Sequence, residues 1–465
     1  MSHADAGVLT ADLATQADLL DRGEISAVQL VEWQLAAVEA SQPVINSYLQ
    51  VDRAAALAAA AQSDARRAQG TARALEGLAI AVKDNIDVAG MRTSAGMAVL
   101  RDLPPAQADN PAVAGLRAAG AIILGKLNMH EAALGADNDN PHFGACHNPH
   151  RPGFTPGGSS GGSGAAVAAG LCGAALGTDT MGSVRIPASY CGVFGLKPTW
   201  GAVSTRGTVP LCRRLDHIGP LARSARDLGV LLKAMAGFDP DCAQSRPIAF
   251  STSRPGPLRI GVVDVGDTVE IDADVQRAFE AGLQEMLQLG HRRVSLPPPA
   301  FPSGQARRAG LLMCEAELLV EHAGAWRDRR DGFSPLLAKL MGWAEARSAA
   351  ELAAAEQLVD QAQVQLQQWL RDCDVVLMPT TPQRAFAFGS PVPANQADLT
   401  AYANMAGNPA LSVPLPVDAD ELPVGMQLIG HRGDDLQLVA LADAFQNAVR
   451  WKAELPAAAT AWWPA

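Results

Sequence analysis

The chain has 465 residues, of which 48% are hydrophobic and 18% charged, a balance that excludes a disordered or coiled-coil protein and allows a sizeable core. Its 37 Lys+Arg against 48 Asp+Glu give a net charge of −11, which opposes attraction to phosphate backbones or anionic lipid and predicts neither nucleic acid nor membrane as a partner. At roughly 150 residues per domain the length allows about three units, or one large α/β layer structure that absorbs most of it.

The first seventy residues read as helical. Ser26 with Gln29 three positions on forms a capping-box pattern ahead of Val28, Leu30, Val31, Trp33, Leu35 and Val38, whose spacing suits an amphipathic helix. Short apolar runs then alternate with helix-like segments, Leu78 to Val82 and Ala121 to Leu124 among them, which predicts α/β layering. The run from Gly164 to Gly177 carries no polar side chain and is shorter than the ~20 residues a bilayer needs, so it reads as a buried helix. Residues 138–208 are crowded with Gly, Ser, Pro and Asn between apolar blocks, as turns built around a site would be. A join is expected between Asp239 and Pro257, before a strand over Leu258 to Val263. Helical sequence follows to about Leu370, then strands over Val375 to Pro379 and Met426 to Gly430, and a closing helix around 435–450. The division expected is an N-terminal helical segment (1–70), a catalytic core (71–235) and a C-terminal part (236–465) completing the same sheet and the pocket.

The seven cysteines are odd in number, scattered and never in a CxxC pair, which predicts reduced thiols rather than a disulfide framework or zinc ribbon. The N-terminal stretch has no secretory or mitochondrial pattern, so the expected location is cytoplasmic. Only six residues are lysine, Lys83, Lys126, Lys197, Lys233, Lys339 and Lys452. Chemistry that needs a neutral amine therefore has few candidates.

The most informative stretch is the turn Gly157-Gly158-Ser159-Ser160-Gly161-Gly162-Ser163-Gly164, with Ser183 following 24 residues after Ser159 in Gly177-Thr178-Asp179-Thr180-Met181-Gly182-Ser183-Val184-Arg185-Ile186-Pro187. Glycines let main-chain N–H groups converge on one point, which suits an oxyanion or a phosphate equally well. These two turns resemble the defining stretch of the amidase signature family. The likeness continues through Val82-Lys83-Asp84-Asn85-Ile86, Asn128-Met129-His130-Glu131, Ala188 to Thr199, Leu215-Asp216-His217-Ile218-Gly219-Pro220 and Asn404 to Ser412.

The resemblance implies an α/β/α fold with a large mixed central sheet flanked by helices, and an amidase that cleaves a carboxylic amide to a carboxylate and ammonia or an amine without metal or organic cofactor. It implies Ser183 as nucleophile, Ser159 as bridging serine after a cis Gly158–Ser159 bond, and Lys83 as base. The main-chain N–H groups of Thr180, Met181, Gly182 and Ser183 would form the oxyanion hole, with Asp179, Arg185 and Ser160 in support. For Lys83 to act as a base near neutral pH its pKa must fall by about 3 units, ~4 kcal/mol of desolvation, and Asp84 and Asp87 must be turned elsewhere. Met181 departs from the family pattern, which has glycine there. Either the turn needs no positive φ at that position, or, as we favour, the residue tolerates the strain while its thioether faces the acyl pocket.

Met129, Met181, Met313 and Met405 are expected to line an apolar pocket, and Arg213 and Arg214 to recognise a substrate carboxylate. A formal G-x-S-x-G match would instead make Ser160 an α/β-hydrolase nucleophile, but the prolines before it argue against the preceding strand that elbow needs. Gly120 to Leu127 imitates a phosphate loop with no final Ser/Thr and reads as core. His142, Cys146, His147 and His150 fit no zinc spacing and suggest a loop at the substrate entrance. A non-catalytic scaffold is disfavoured by intact Lys83, Ser159 and Ser183. The ammonia-releasing component of glutamyl-tRNA amidotransferase, which works with a tRNA-binding partner, also resembles this family. Such components usually carry Gln where this chain has Ile186, so a stand-alone amidase is the reading preferred, with a small-molecule amide as partner and a homodimer left open.

Overall fold

The computed structural model describes residues 3–251, 256–266, 268–418, 420–456 and 458–459. Among them, β1 (Tyr48–Val51), β2 (Ala79–Lys83), β3 (Ile122–Leu127), β4 (Ala174–Asp179), β5 (Phe194–Lys197), β6 (His217–Ala222), β7 (Arg259–Val263), β8 (Arg292–Leu296), β9 (Val375–Pro379), β10 (Ala410–Pro414) and β11 (Gly425–Ile429) form one sheet. Its order is β1-β3-β2-β4-β6-β5-β10-β11-β9-β7-β8. Pairing is parallel across β3-β2-β4 and β9-β7-β8 and antiparallel elsewhere, so the sheet is mixed.

Every residue of β2, β4, β9, β10 and β11 is buried, which requires cover on both faces. The apolar clusters show that cover. Leu377 packs into one cluster while its neighbours Val376 and Met378 pack into another, as alternation along a strand dictates. The result is an α/β/α layered fold whose sheet runs through all three stretches expected from the sequence.

Ser26 caps the helix Ala27–Ile45, and the reciprocal Gln29 bond is made as the spacing predicted. Three expectations are corrected. The first seventy residues also hold β1, the edge strand on β3. The apolar run 164–177 is not one helix: Gly161–Ala168 ends at Gly170, which has φ +70°, and the chain returns as β4. β8 interrupts the stretch read as helical up to Leu370. Small apolar residues suit a buried helix and a buried central strand alike, so periodicity could not separate them. Of the expected join, residues 252–255 lie outside the described residues.

Candidate active site

β2 and β4 are parallel neighbours, with Val82 opposite Leu176. That register brings the last residue of β2, Lys83, beside Thr178 near the end of β4. Lys83 is fully buried, and its Nζ lies 2.7 Å from Ser159 Oγ and 2.8 Å from Thr178 Oγ1. Burial lowers its pKa to about 7 against the smaller opposing pull of Asp179 and Asp216. Asp84 is turned away: it pairs with Lys126 at 3.2 Å and accepts from the Ser94 amide at 3.0 Å and from the Ser94 hydroxyl. Lys126, the end of the imitation phosphate loop, is thus a buried structural cation on β3 that also donates to Arg92 O at 3.0 Å.

Ser159 follows a cis Gly158–Ser159 peptide bond and is fully buried. Ser160 directs its hydroxyl to Thr178 O at 3.1 Å and accepts from Thr178 N at 3.2 Å. That hydroxyl ties its turn to β4, and among the described residues no histidine is bonded to it, so Ser160 is not poised as a hydrolase nucleophile. The helix after it packs tightly: a Cβ on Gly162 would fall 2.7 Å from Asn128 N.

Ser183 is partly exposed and lines a cavity of about 160 Å³. Among the described residues its hydroxyl has no hydrogen-bond partner, while its carbonyl accepts from Ser160 N at 3.2 Å. Asp179 organises the turn before it. Its carboxylate accepts from Gly182 N at 2.6 Å, Val184 N at 3.2 Å, Arg185 Nε and Nη2 at 3.0 Å each, and Asn404 Nδ2 at 2.8 Å. Burial alone would raise its pKa, but the Arg185 guanidinium overrides it and holds the carboxyl well below the usual range. Arg185 is itself fully buried and is completed by Thr400 O, Gln427 and Asn404.

Of the four main-chain N–H groups expected as donors, one is already engaged. The Gly182 N–H is committed to Asp179, whereas those of Thr180, Met181 and Ser183 have no acceptor among the described residues. Met181 needs no left-handed backbone; the positive φ falls on Gly182, at +135°. This corrects the favoured expectation of strain at Met181, although the side chain does line the cavity. Gly182 is required twice over, because a Cβ there would also overlap Thr400, whose Oγ1 donates to Met181 O at 2.6 Å. Thr180 donates to Asp216 at 2.6 Å, and Asp216 also accepts from Leu211 N and Cys212 N. Burial raises the Asp216 pKa to about 6. Behind the turn, Lys197 Nζ meets His217 Nε2 at 3.1 Å, and burial lowers both pKa values.

The remaining pocket expectations fare differently. Met129 is fully buried away from the cavity lining, Met405 lies behind Met181 against Gly310, and Met313 packs on the helical core. Arg213 pairs with Glu317 and Glu321, and Arg214 with Glu356 and Asp360, on the outer surface. Acidic side chains one and two turns along neighbouring helices claim them, which sequence proximity to Asp216 could not reveal. His142 pairs with Glu131 at 2.8 Å, His150 meets Cys191 O at 2.9 Å and His147 accepts from Gly153 N at 3.0 Å. They brace loops rather than line the cavity. No group of three or more His, Cys, Asp or Glu among the described residues is placed to hold a metal, and no helix among them is long and apolar enough to cross a membrane. Thr178, Asn85, Thr400, Asn404 and Arg307 were missed as contributors. The first four sit inside or beside the motifs quoted from the sequence, whereas Arg307 has no such signal.

The model of the Amidase family matches residues 29–439. The chain belongs to the amidase signature family. This member is 37% identical to a glutamyl-tRNA(Gln) amidotransferase subunit of Roseiflexus castenholzii, over 96% of the chain and 97% of that relative. Among solved structures it is similar to one reported as an unexpected vestigial protein complex revealing the evolutionary origins of an s-triazine catabolic enzyme, with 33% identity, TM-score 0.88 and coverage of 95% and 99% of the two chains. It is also similar to 6-aminohexanoate cyclic dimer hydrolase, at 28% identity and TM-score 0.85 over 97% and 99%.

Proposed function

We propose that this amidase signature protein hydrolyses the C–N bond of a small carboxamide through an acyl-enzyme on Ser183. The observation that carries the reading is the fully buried Lys83 amine, 2.7 Å from Ser159 Oγ, with a pKa of about 7. A neutral amine there accepts the Ser159 proton as Ser159 Oγ takes that of Ser183. A turn of the Ser183 hydroxyl, which has no partner among the described residues, closes the relay. Ser183 Oγ then bonds to the amide carbon, and the carbonyl oxygen takes the charge, held by the free N–H groups of the Thr180, Met181 and Ser183 turn. The tetrahedral carbon expels its nitrogen as the proton on Lys83 returns through Ser159 to the leaving amine. Water, deprotonated by the same relay, attacks the ester, and the carboxylate leaves with Ser183 restored.

Ser183→Ala is expected to abolish hydrolysis across a panel of amides, a fall of about 10⁴-fold or more. Retained turnover in that variant would remove Ser183 from its role. A second reading, the ammonia-releasing component of a glutamyl-tRNA amidotransferase-type complex, is favoured by the 37% identity over 96% of the chain. Ile186 lines the cavity and makes that wall apolar, which supports the stand-alone enzyme. Purification from its native host separates the two, because the second requires an amidotransferase partner and turnover that rises with it.

A further inference from the structure

The lining of the cavity at Ser183 includes one charged residue. The walls come mainly from apolar side chains such as Leu134, Met181, Ile186, Leu211 and Leu311, and Arg307 is that charged residue. Arg307 sits in the helix Ser303–Glu321 with its side chain 18% exposed. Its Nε donates to Asp398 Oδ1 at 2.5 Å, which fixes the plane of the guanidinium. Among the described residues its Nη1 and Nη2 have no acceptor.

The other polar side chains in the lining, Gln396 and Thr180, already make hydrogen bonds. Gln396 accepts from Tyr190 OH at 3.2 Å and donates to Pro393 O at 3.2 Å, and the Thr180 hydroxyl donates to Asp216. Among the lining side chains, those whose unmade hydrogen bonds are most prominent among the described residues are the Ser183 hydroxyl and the Nη atoms of Arg307. A partly buried guanidinium with four unused N–H donors matches a carboxylate, which two of them can engage side by side.

We infer that Arg307 is a specificity-determining residue that binds a carboxylate at the far end of the substrate, so that the preferred substrates are short monoamides of dicarboxylic acids. This deepens the amidase reading and rests on it. The cavity of about 160 Å³ lies below the ~300–1,000 Å³ of sites for drug-sized ligands, which favours a short apolar linker between amide and carboxylate. Asp398 acts as a positioning residue: it neutralises part of the guanidinium charge and holds Nε, while leaving the Nη atoms for the ligand. Burial raises its pKa, with Arg307 opposing.

The test compares succinamate with butyramide, which carries a methyl group in place of the carboxylate, and repeats the pair with malonamate and glutaramate to find the best length. The expected result is a kcat/KM ratio for carboxylated over neutral amide of about 10² at the best length, the scale for charge-assisted hydrogen bonds in a desolvated site. In Arg307→Leu that ratio falls to near one, with the loss mainly in KM, and Arg307→Lys restores part of it. Calorimetric titration of the same monoamides into Ser183→Ala reads binding without turnover, and there Arg307→Leu in the Ser183→Ala background loses the carboxylate preference. If Arg307→Leu fails to fold, Asp398→Asn is used, and the ratio is expected to fall as the guanidinium loses its anchor. A wild-type ratio near one at every length, or a ratio unchanged in the Arg307 variants, overturns the inference while leaving the Ser183 chemistry standing. Hydrolysis by Ser183→Ala would instead sink the catalytic reading beneath it.

Discussion

Replacing Lys83 by Met separates the cost of a buried amine from its use. Burial takes the Lys83 pKa from 10.5 to about 7, which at about 1.4 kcal/mol per unit is a penalty on the order of 5 kcal/mol in the native state near neutral pH. The sign follows from proton binding. Between pH 7 and 10.5 the unfolded chain holds a proton on this lysine that the folded chain does not, so wild-type stability rises with pH across that window. Below 7 both states are protonated and the penalty is constant; above 10.5 it vanishes. Met fills similar volume without titrating, so the stability difference between Lys83→Met and wild type should favour the variant most at pH 7 and below and shrink by roughly 2 kcal/mol on going from pH 7 to pH 9. The lost contacts to Ser159 and Thr178 offset the whole curve but not its slope. Urea denaturation of both proteins at pH 7, 8 and 9 measures it, and Lys126 and Lys197, also buried, cancel in the comparison. In the same variant, hydrolysis should be lost. In wild type, kcat/KM should rise about tenfold per unit below pH 7 and level off above. A stability difference independent of pH, or a flat activity profile from pH 6 to 8, would refute a neutral, buried base at this position.

Three further outcomes are expected. Asp179→Ala leaves the buried Arg185 without its carboxylate and should destabilise the protein by about 3–5 kcal/mol in urea titration; a loss under ~1 kcal/mol would mean the Arg185 network is self-sufficient. Gly182→Ala forces a side chain into positive φ against Thr400 and should lower kcat by about 10²-fold or more through the oxyanion turn, with activity near wild type counting against that turn. The double variant Arg213→Ala, Arg214→Ala removes exposed ion pairs worth about 0–1 kcal/mol each and should leave KM for succinamate within twofold; a tenfold rise would return these arginines to substrate recognition.

What could be read from the sequence was local. Ser159 and Ser183 lie in glycine-rich turns whose composition suits converging main-chain donors, and Lys83, at the end of an apolar run that folds as β2, comes to 2.7 Å from Ser159. The alternation of apolar runs announced a layered α/β structure, and the Ser26–Gln29 pair marked a helix start that needs no tertiary information. The failures were all questions of direction and partnership. Whether Ala174 to Gly177 is helix or strand depends on β2 and β6 lying to either side. Whether Arg214 faces a pocket or Asp360 depends on a helix some 140 positions away. The commitment of the Gly182 amide to Asp179 is a matter of ångströms within one turn, below what residue spacing can express.

The origin of the cavity walls has a wider meaning. The residues proposed to react stand at the end of β2, in the turn before the helix Gly161–Ala168 and in the turn after β4, all before residue 184, whereas Arg307, Leu311 and the stretch from Pro393 to Ala397 belong to the later half of the chain. Appetite for one molecule over another can thus drift by exchanging the helix at Ser303–Glu321 or its opposing loop, without touching the proposed relay. A chimera that borrows only those two stretches from a relative should inherit that relative's diet and keep this protein's engine.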